Sequence, residues 1–415
     1  MRASCNDPFE SGMLPAKVAL REILAALEPV RGRERVALHD ALDRVLIEDI
    51  ASPVNVPAHT NSAVDGFALR LADLPASGVT TLRIAGEAYA GHPYPAEAKP
   101  GECVRVMTGA IIPTGADTVV MKEDTEAVSD GLRLEGDHKK GANIRDAGED
   151  IKAGDTVLQT GRLLTPADIG MLGSLGLAEV DVARRLRVAF ASTGDELRSL
   201  GQAVRPGEIY DSNRFTLLGM LKRLHADVVD LGVIPDQREA LRQAFTPACK
   251  LADVFITSGG VSVGEADYVK EILQELGEIG FWKIAIKPGR PLAFGKLGRA
   301  TFFGLPGNPV AVMVTFYQFV KPALERMMGR AHDEPFLVRA RAESDLEKRR
   351  GRTEFQRGIL QAGENGELVV TKTGQQGSGV LSSMSRANCF IVLDDDAGPV
   401  RSGDTVMVQP FAALI

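Results

Sequence analysis

The chain has 415 residues, 44% of them hydrophobic, and its 48 Lys and Arg face 55 Asp and Glu for a formal net charge of -7. That length predicts about three or four domains at roughly 100 to 200 residues each. The acidic balance excludes a generally basic nucleic-acid or membrane-surface protein, so an anionic ligand must be met by a local cluster of Lys and Arg.

The cysteines Cys5, Cys103, Cys249 and Cys389 lie far apart with no CxxC pair, which reads as reduced thiols rather than a zinc site or disulfide framework. Nothing beside Cys103 in sequence would lower its pKa, so a bystander thiol is expected there. The first ten residues lack the apolar region of a signal peptide, and no run reaches the ~18 to 20 apolar residues of a membrane span. A cytoplasmic protein without a membrane partner is the expectation.

In chain order, Pro15 to Leu27 has apolar residues at helical spacing, and Val36 to Ile50 repeats the pattern, predicting two helices. The texture changes at Ser52-Pro53, where turn formers dominate and Asp65-Gly66 precedes an apolar strand. On spacing, Asp65 is a turn residue. Short β-rich runs follow from Thr81 to Glu123, and Thr108 either caps a turn or offers its hydroxyl to a ligand. Beyond Asn143 come an acidic loop (Glu149, Asp150), a short strand, and a helix capped by Thr165 with Pro166 first. This predicts an arm from 1–51 and 143–185, whose first helix is free to pack elsewhere. It also predicts an inserted β-rich domain over 52–142.

From 186 to 330 strands and helices alternate, which demands right-handed crossovers and a mostly parallel sheet. Ligands of such sheets lie outside the carboxyl ends of the strands. The loops there are Thr193 to Glu196, Asp236, Ser258 to Gly264, and Gly304 to Asn308. Glycines in these turns leave backbone N–H groups open to an anion, and Pro309 behind Asn308 reads as the first residue of a helix with Asn308 as its N-cap. In FWKIAIKPGRP, alternation puts Lys283, Ala285 and Lys287 on one face of a strand, with Arg290 following: either a row for an oxyanion or a solvated edge. Against them stand Glu196, Asp236, Glu265 and Asp267, hard oxygen ligands suited to Mg²⁺, though the last two also suit the first turn of a helix. Over 331–415 five short strands predict a small closing β-barrel, with Arg357 and Ser378 near turns; taken alone, both read as surface positions.

The segments SPVNVPAHTNSAVDGFA, RVMTGAIIP, NIRDAGEDIKAG, TSGGVSVGEADYVK, FWKIAIKPGRP, GLPGNPVA and GQQGSG, in this order, resemble the MoeA and gephyrin E-domain molybdopterin molybdenumtransferases over nearly the whole chain. The resemblance implies a multidomain α/β-plus-β fold whose central domain is like that of MogA. It implies an enzyme that inserts molybdate into adenylated molybdopterin and releases AMP with Mg²⁺. It assigns Thr193, Gly194, Ser212, Ser258, Gly259, Gly260, Ser262, Gly264, Pro306, Gly307, Asn308 and Pro309 to pterin and phosphate binding. Glu196, Asp236 and Asp267 would hold Mg²⁺ and the phosphoanhydride; Lys283, Lys287, Arg357 and Ser378 would receive molybdate or ligand oxyanions. Asp65 and Thr108 match functional positions of a domain that reaches the crevice of a partner subunit, which implies a homodimer. An upstream adenylyltransferase and downstream molybdoenzyme-maturation proteins are the implied partners. The alternatives are a molybdopterin adenylyltransferase and a gephyrin-like binding scaffold.

Overall fold

The computed structural model describes residues 12–260, 268–330 and 334–411. Their contacts gather into two compact units, 35–182 and the remainder of the chain.

The larger unit is built on a six-stranded sheet in the order Asp227–Ile234, Arg187–Thr193, Val254–Ser258, Ala300–Leu305, Pro291–Leu297, Gly277–Lys283. The first four strands run parallel, Pro291–Leu297 runs against them, and Gly277–Lys283 runs against Pro291–Leu297 in turn. Runs such as 254–258 and 300–305 are buried at every position, as strands covered on both faces must be. On one face Ser212–Arg223 and Pro309–Thr315 close a core with Phe190, Ile256 and Phe303; on the other, Arg238–Leu251 and Tyr268–Leu276 cover Phe255 and Phe302. The expected helix near the N-terminus is Ala16–Ala25, and it buries Ala19 and Ile23 in the first of these cores.

One strand predicted from the alternation is in fact two. Gly277–Lys283 ends in the α/β sheet, Ala285 is buried, and Ile286–Lys287 pairs in parallel with Thr353–Glu354 of the C-terminal barrel. Lys283 and Lys287 therefore do not share one strand face. The Thr353 N–H donates to Ala285 O at 2.9 Å and diverts the backbone from one sheet to the other. The barrel itself follows the order Thr353–Ala362, Leu368–Lys372, Val338–Ala342, Thr405–Pro410, Cys389–Leu393, and closes by pairing of the last strand with the first. Its core is Ala340, Leu346, Val370, Ile391, Val408 and neighbours.

In the smaller unit, a six-stranded sheet runs Thr118–Met121, Gly66–Leu69, Glu102–Val106, Val79–Ala88, Gly131–Glu135, Thr125–Val128. Gly66 is required there, because a Cβ would sit 2.1 Å from Val120 O of the adjacent strand. The helix Pro166–Ser174 begins as expected, with Thr165 and Asp168 forming a reciprocal capping box. The second predicted helix, over Val36 to Ile50, does not form. A strand ends at Ala37, a single turn spans Leu38–Asp40, Val45 and Leu46 bridge to Leu163 and Val182, and Ile50–Ala51 pairs with Thr156–Leu158. Asp43 takes a φ of 58°, which no right-handed helix accommodates, so the helical spacing of its apolar neighbours reflects burial in a loop.

Candidate functional site

Four loops meet at the carboxyl rim of the parallel strands. The turn after Ser258 needs glycine for close packing: Gly259 and Gly260 have φ of 88° and 65°, and a Cβ at either would lie 2.5 Å from Thr193 O or Val269 Cγ2. Gly259 differs from its expected role, since its N–H donates to Leu305 O at 3.1 Å and is not presented to an anion. At Gly194 a Cβ would strike the Glu196 carboxylate at 2.6 Å, so that side chain folds back over its own turn. Ser262, Gly264 and Asp267 lie outside the described residues, as does Glu265.

Pro306 to Pro309 forms the expected elbow, with Asn308 at the N-cap position and Pro309 first in the helix Pro309–Thr315. The Asn308 side chain makes no capping bond. The orphan N–H of Val310 donates instead to the carbonyl of Ser378, 3.0 Å away on a loop of the barrel. Ser378 thus reaches the site through its backbone. From the other side, Asn213 Nδ2 donates to Gly307 O at 2.7 Å, tying the start of the Ser212–Arg223 helix to the elbow. A Cβ at Gly307 would meet nothing within 4 Å, so no packing inside the chain calls for glycine there.

Several buried polar atoms of this rim have no hydrogen-bond partner: Ser192 Oγ, Thr193 Oγ1, Asp211 Oδ2, Asn213 Oδ1, Asp236 Oδ1 and Thr257 Oγ1. Buried polar groups are normally paired, so such a group at one edge marks a surface completed by a polar ligand or ordered water. The acids crowd as well. Burial, and then the charges of Asp195 and Glu196, raise the Asp236 pKa above the usual carboxylate range, and the Asp236 N–H donates to Asp195 Oδ1 at 3.2 Å. Among the described residues no group of three or more His, Cys, Asp and Glu is arranged as a finished metal cage.

The cationic side comes from the segment after Lys283. Lys287 Nζ lies 3.4 Å from Glu354 Oε2, and the loop behind it packs on the elbow helix, where a Cβ at Gly289 would lie 3.4 Å from Ala311 O. Lys283 is exposed, and its carbonyl accepts the Leu14 N–H at 2.8 Å. Arg357 corrects its surface expectation: only 1% exposed, it donates from Nε to Ser383 Oγ at 3.0 Å and from Nη2 to Gly377 O at 3.0 Å. Burial pushes its pKa down to about 10. It braces the loop that presents the Ser378 carbonyl to the elbow. Sequence reasoning took in Asp195 only as part of the Thr193 to Glu196 loop and gave no role to Asn213 or Glu354; Asn213 adjoins Ser212 in DSN, while nothing local marks Glu354.

In the smaller unit, Asp65 and Thr108 are brought together by the pairing of Gly66 with Val106. Thr108 donates from both its backbone N–H and its hydroxyl to Asp65 Oδ1, each at 2.8 Å. These bonds, then the charges of Lys122 and Arg105, hold the exposed Asp65 carboxylate below its ordinary range. A hollow of about 40 Å³ opens between Asp65, Arg105 and Lys122. Cys103 is buried and its thiol pushed up to about 12, so it is no nucleophile.

Family comparisons cover almost all of the chain. The "MoeA N-terminal region (domain I and II)" matches residues 14–176, the "Probable molybdopterin binding domain" 189–326, and the "MoeA C-terminal region (domain IV)" 339–411. A molybdopterin molybdenumtransferase of Haemophilus influenzae is 46% identical, covering 97% of this chain and 100% of its own length. One from Nostoc is 34% identical over 93% of this chain and 90% of its own. The crystal structure of a molybdopterin biosynthesis moeA protein from Pyrococcus horikoshii OT3 superposes with a TM-score of 0.85 at 29% identity, covering 96% of this chain and 100% of that one.

Proposed function

The chain belongs to the molybdopterin molybdenumtransferase family, and on that premise we propose that its rim takes adenylated molybdopterin and molybdate, inserts the metal into the dithiolene and releases AMP. It is a transferase of molybdenum cofactor biosynthesis. The adenylyltransferase alternative falls away, because the relatives match the regions flanking the middle domain as well. The observation that carries the mechanism is the set of unpartnered buried polar atoms at the rim, which a phosphate-bearing pterin would satisfy.

Thr193, Gly194, Ser212, Ser258, Gly260 and the Pro306 to Pro309 elbow line the place of the pterin and its phosphates. Glu196 and Asp236, with Asp195 beside them, would hold Mg²⁺; the fit rests on the orphaned Asp236 Oδ1 and on like charges that a cation relieves. Bound there, Mg²⁺ supplies charge neutralisation at the phosphoanhydride. Lys283 and Lys287 meet the tetrahedral dianion, and Arg357 holds the barrel loop against the elbow. Cleavage of a phosphoanhydride needs positioning and charge stabilisation more than a protein nucleophile, which agrees with the buried, inert thiols of Cys103, Cys249 and Cys389 among the described residues.

The working form is a cytoplasmic homodimer in which Asp65 and Thr108 serve the crevice of the partner subunit. Large apolar side chains left in solvent, Leu200 at 61%, Ile209 at 56%, Tyr210 and Phe215 among them, support an assembly. No described helix is long and apolar enough to cross a membrane. The test is AMP release from adenylated molybdopterin, followed with and without molybdate and Mg²⁺. AMP release that ignores both additions refutes the reaction.

A further inference from the structure

Glu354 is the least expected charge near the site. It lies on the barrel strand Thr353–Ala362 and is 2% exposed. Alternation places it with Gln356 and Gly358 on the face that meets the barrel core, where a Cβ at Gly358 would lie 2.9 Å from Ile391 and Val370. A carboxylate buried at the edge of an apolar core is costly, and a hydrophobic residue of the same size would serve the fold as well or better. Its partners explain its presence. Glu354 Oε2 accepts from Lys287 Nζ at 3.4 Å and from Gln356 Nε2 at 3.2 Å. Lys348, 4% exposed and donating to Arg349 O at 2.7 Å, adds a second favourable charge beside it. Lys287 and Glu354 are also direct partners in the parallel ladder that joins the α/β region to the barrel.

We propose that Glu354 is a positioning residue: from inside the barrel it fixes the direction of the half-exposed Lys287 ammonium, so that this cation is already aimed when a tetrahedral oxyanion arrives. Buried Lys348 balances the carboxylate, so that Glu354 is not left to draw Lys287 inward. This rests on the reading of Lys287 as an anion-receiving residue. The barrel thereby takes part in anion binding through a side chain that never touches the anion.

The experiment titrates molybdate into the whole protein by calorimetry, for the parent, Glu354→Gln, Lys287→Ala and the double variant. Glu354→Gln is expected to weaken molybdate binding about tenfold, the scale of one misdirected charge-assisted hydrogen bond. The double variant is expected to bind no more weakly than Lys287→Ala, because the two act as one unit. Normal binding by Glu354→Gln beside an impaired Lys287→Ala overturns this proposal alone, as does additivity in the double variant. Normal binding by Lys287→Ala overturns the reading of Lys287 itself. Should Glu354→Gln fold poorly, Glu354→Leu with Lys348→Met removes the buried charges together. That protein is expected to fold and to show the same tenfold loss; unaltered affinity there overturns the proposal.

Discussion

Arg357→Met separates two roles for a buried guanidinium by the sign of its effect on stability. The side chain makes two good hydrogen bonds, to Ser383 Oγ and Gly377 O, and a weak third to Gln375 O at 3.4 Å. Charge-assisted bonds are worth about 1.5 to 3 kcal/mol each, so methionine forfeits roughly 3 to 6 kcal/mol. Against this stands the desolvation of the cation. Burial pulls its pKa down to about 10, which corresponds to about 3 kcal/mol regained when the charge is removed. The balance predicts that Arg357→Met unfolds more easily, by roughly 0 to 3 kcal/mol near neutral pH. Amide hydrogen exchange at Val310 should quicken, since the Ser378 carbonyl that accepts its N–H loses its brace. Urea unfolding and exchange mass spectrometry supply the two readings. If the guanidinium is instead held in reserve for an incoming anion, deleting it should stabilise the protein and leave exchange at Val310 unchanged. That result would refute the bracing argument.

Other expectations follow from the same geometry. Gly307→Ala should leave the melting temperature unaltered, because its Cβ would meet nothing within 4 Å, while kcat/KM falls about tenfold or more if ligand occupies that space; undiminished turnover would count against it. Asp65→Ala removes the acceptor of both Thr108 donors, and should abolish turnover while far-UV circular dichroism stays that of the parent. An active variant returns Asp65 to a plain turn residue. Asp253 is pushed up by burial, but its paired bonds from Arg184 and the Arg187 N–H more than offset this and hold its pKa below 3.8. A carboxylate with a depressed folded pKa stabilises above its unfolded pKa, and that contribution is lost as pH falls through the folded one. Asp253→Asn should therefore cost roughly 1 to 3 kcal/mol at pH 7 in urea unfolding, with the difference closing in acid. A gap that persists to pH 2 would mean the loss is not electrostatic.

Local signals were legible wherever a few neighbouring residues suffice. Proline after Asn308 sets the elbow, Thr165 with Asp168 sets a capping box, and the alternation of apolar runs marks the parallel strands and the barrel. These features depend on backbone preferences within a turn or two, which the order of residues states directly. The resemblance of spaced segments carried the family and its reaction.

What the order of residues left open was decided by pairing across long stretches of chain. Helical spacing from Val36 to Ile50 belongs to a loop, because Asp43 turns left-handed and the apolar residues bury against segments more than a hundred positions away. The run FWKIAIK divides between two sheets, since a strand of the barrel captures its second half. Arg357 is interior, Ser378 acts through its carbonyl, and Glu354 faces Lys287 across 67 positions. Propensity acts between neighbours, whereas burial and charge pairing act between whatever the fold makes adjacent. Composition and motif therefore determined which chemistry the chain carries, and tertiary packing decided which groups are free to perform it and which hold the others in place.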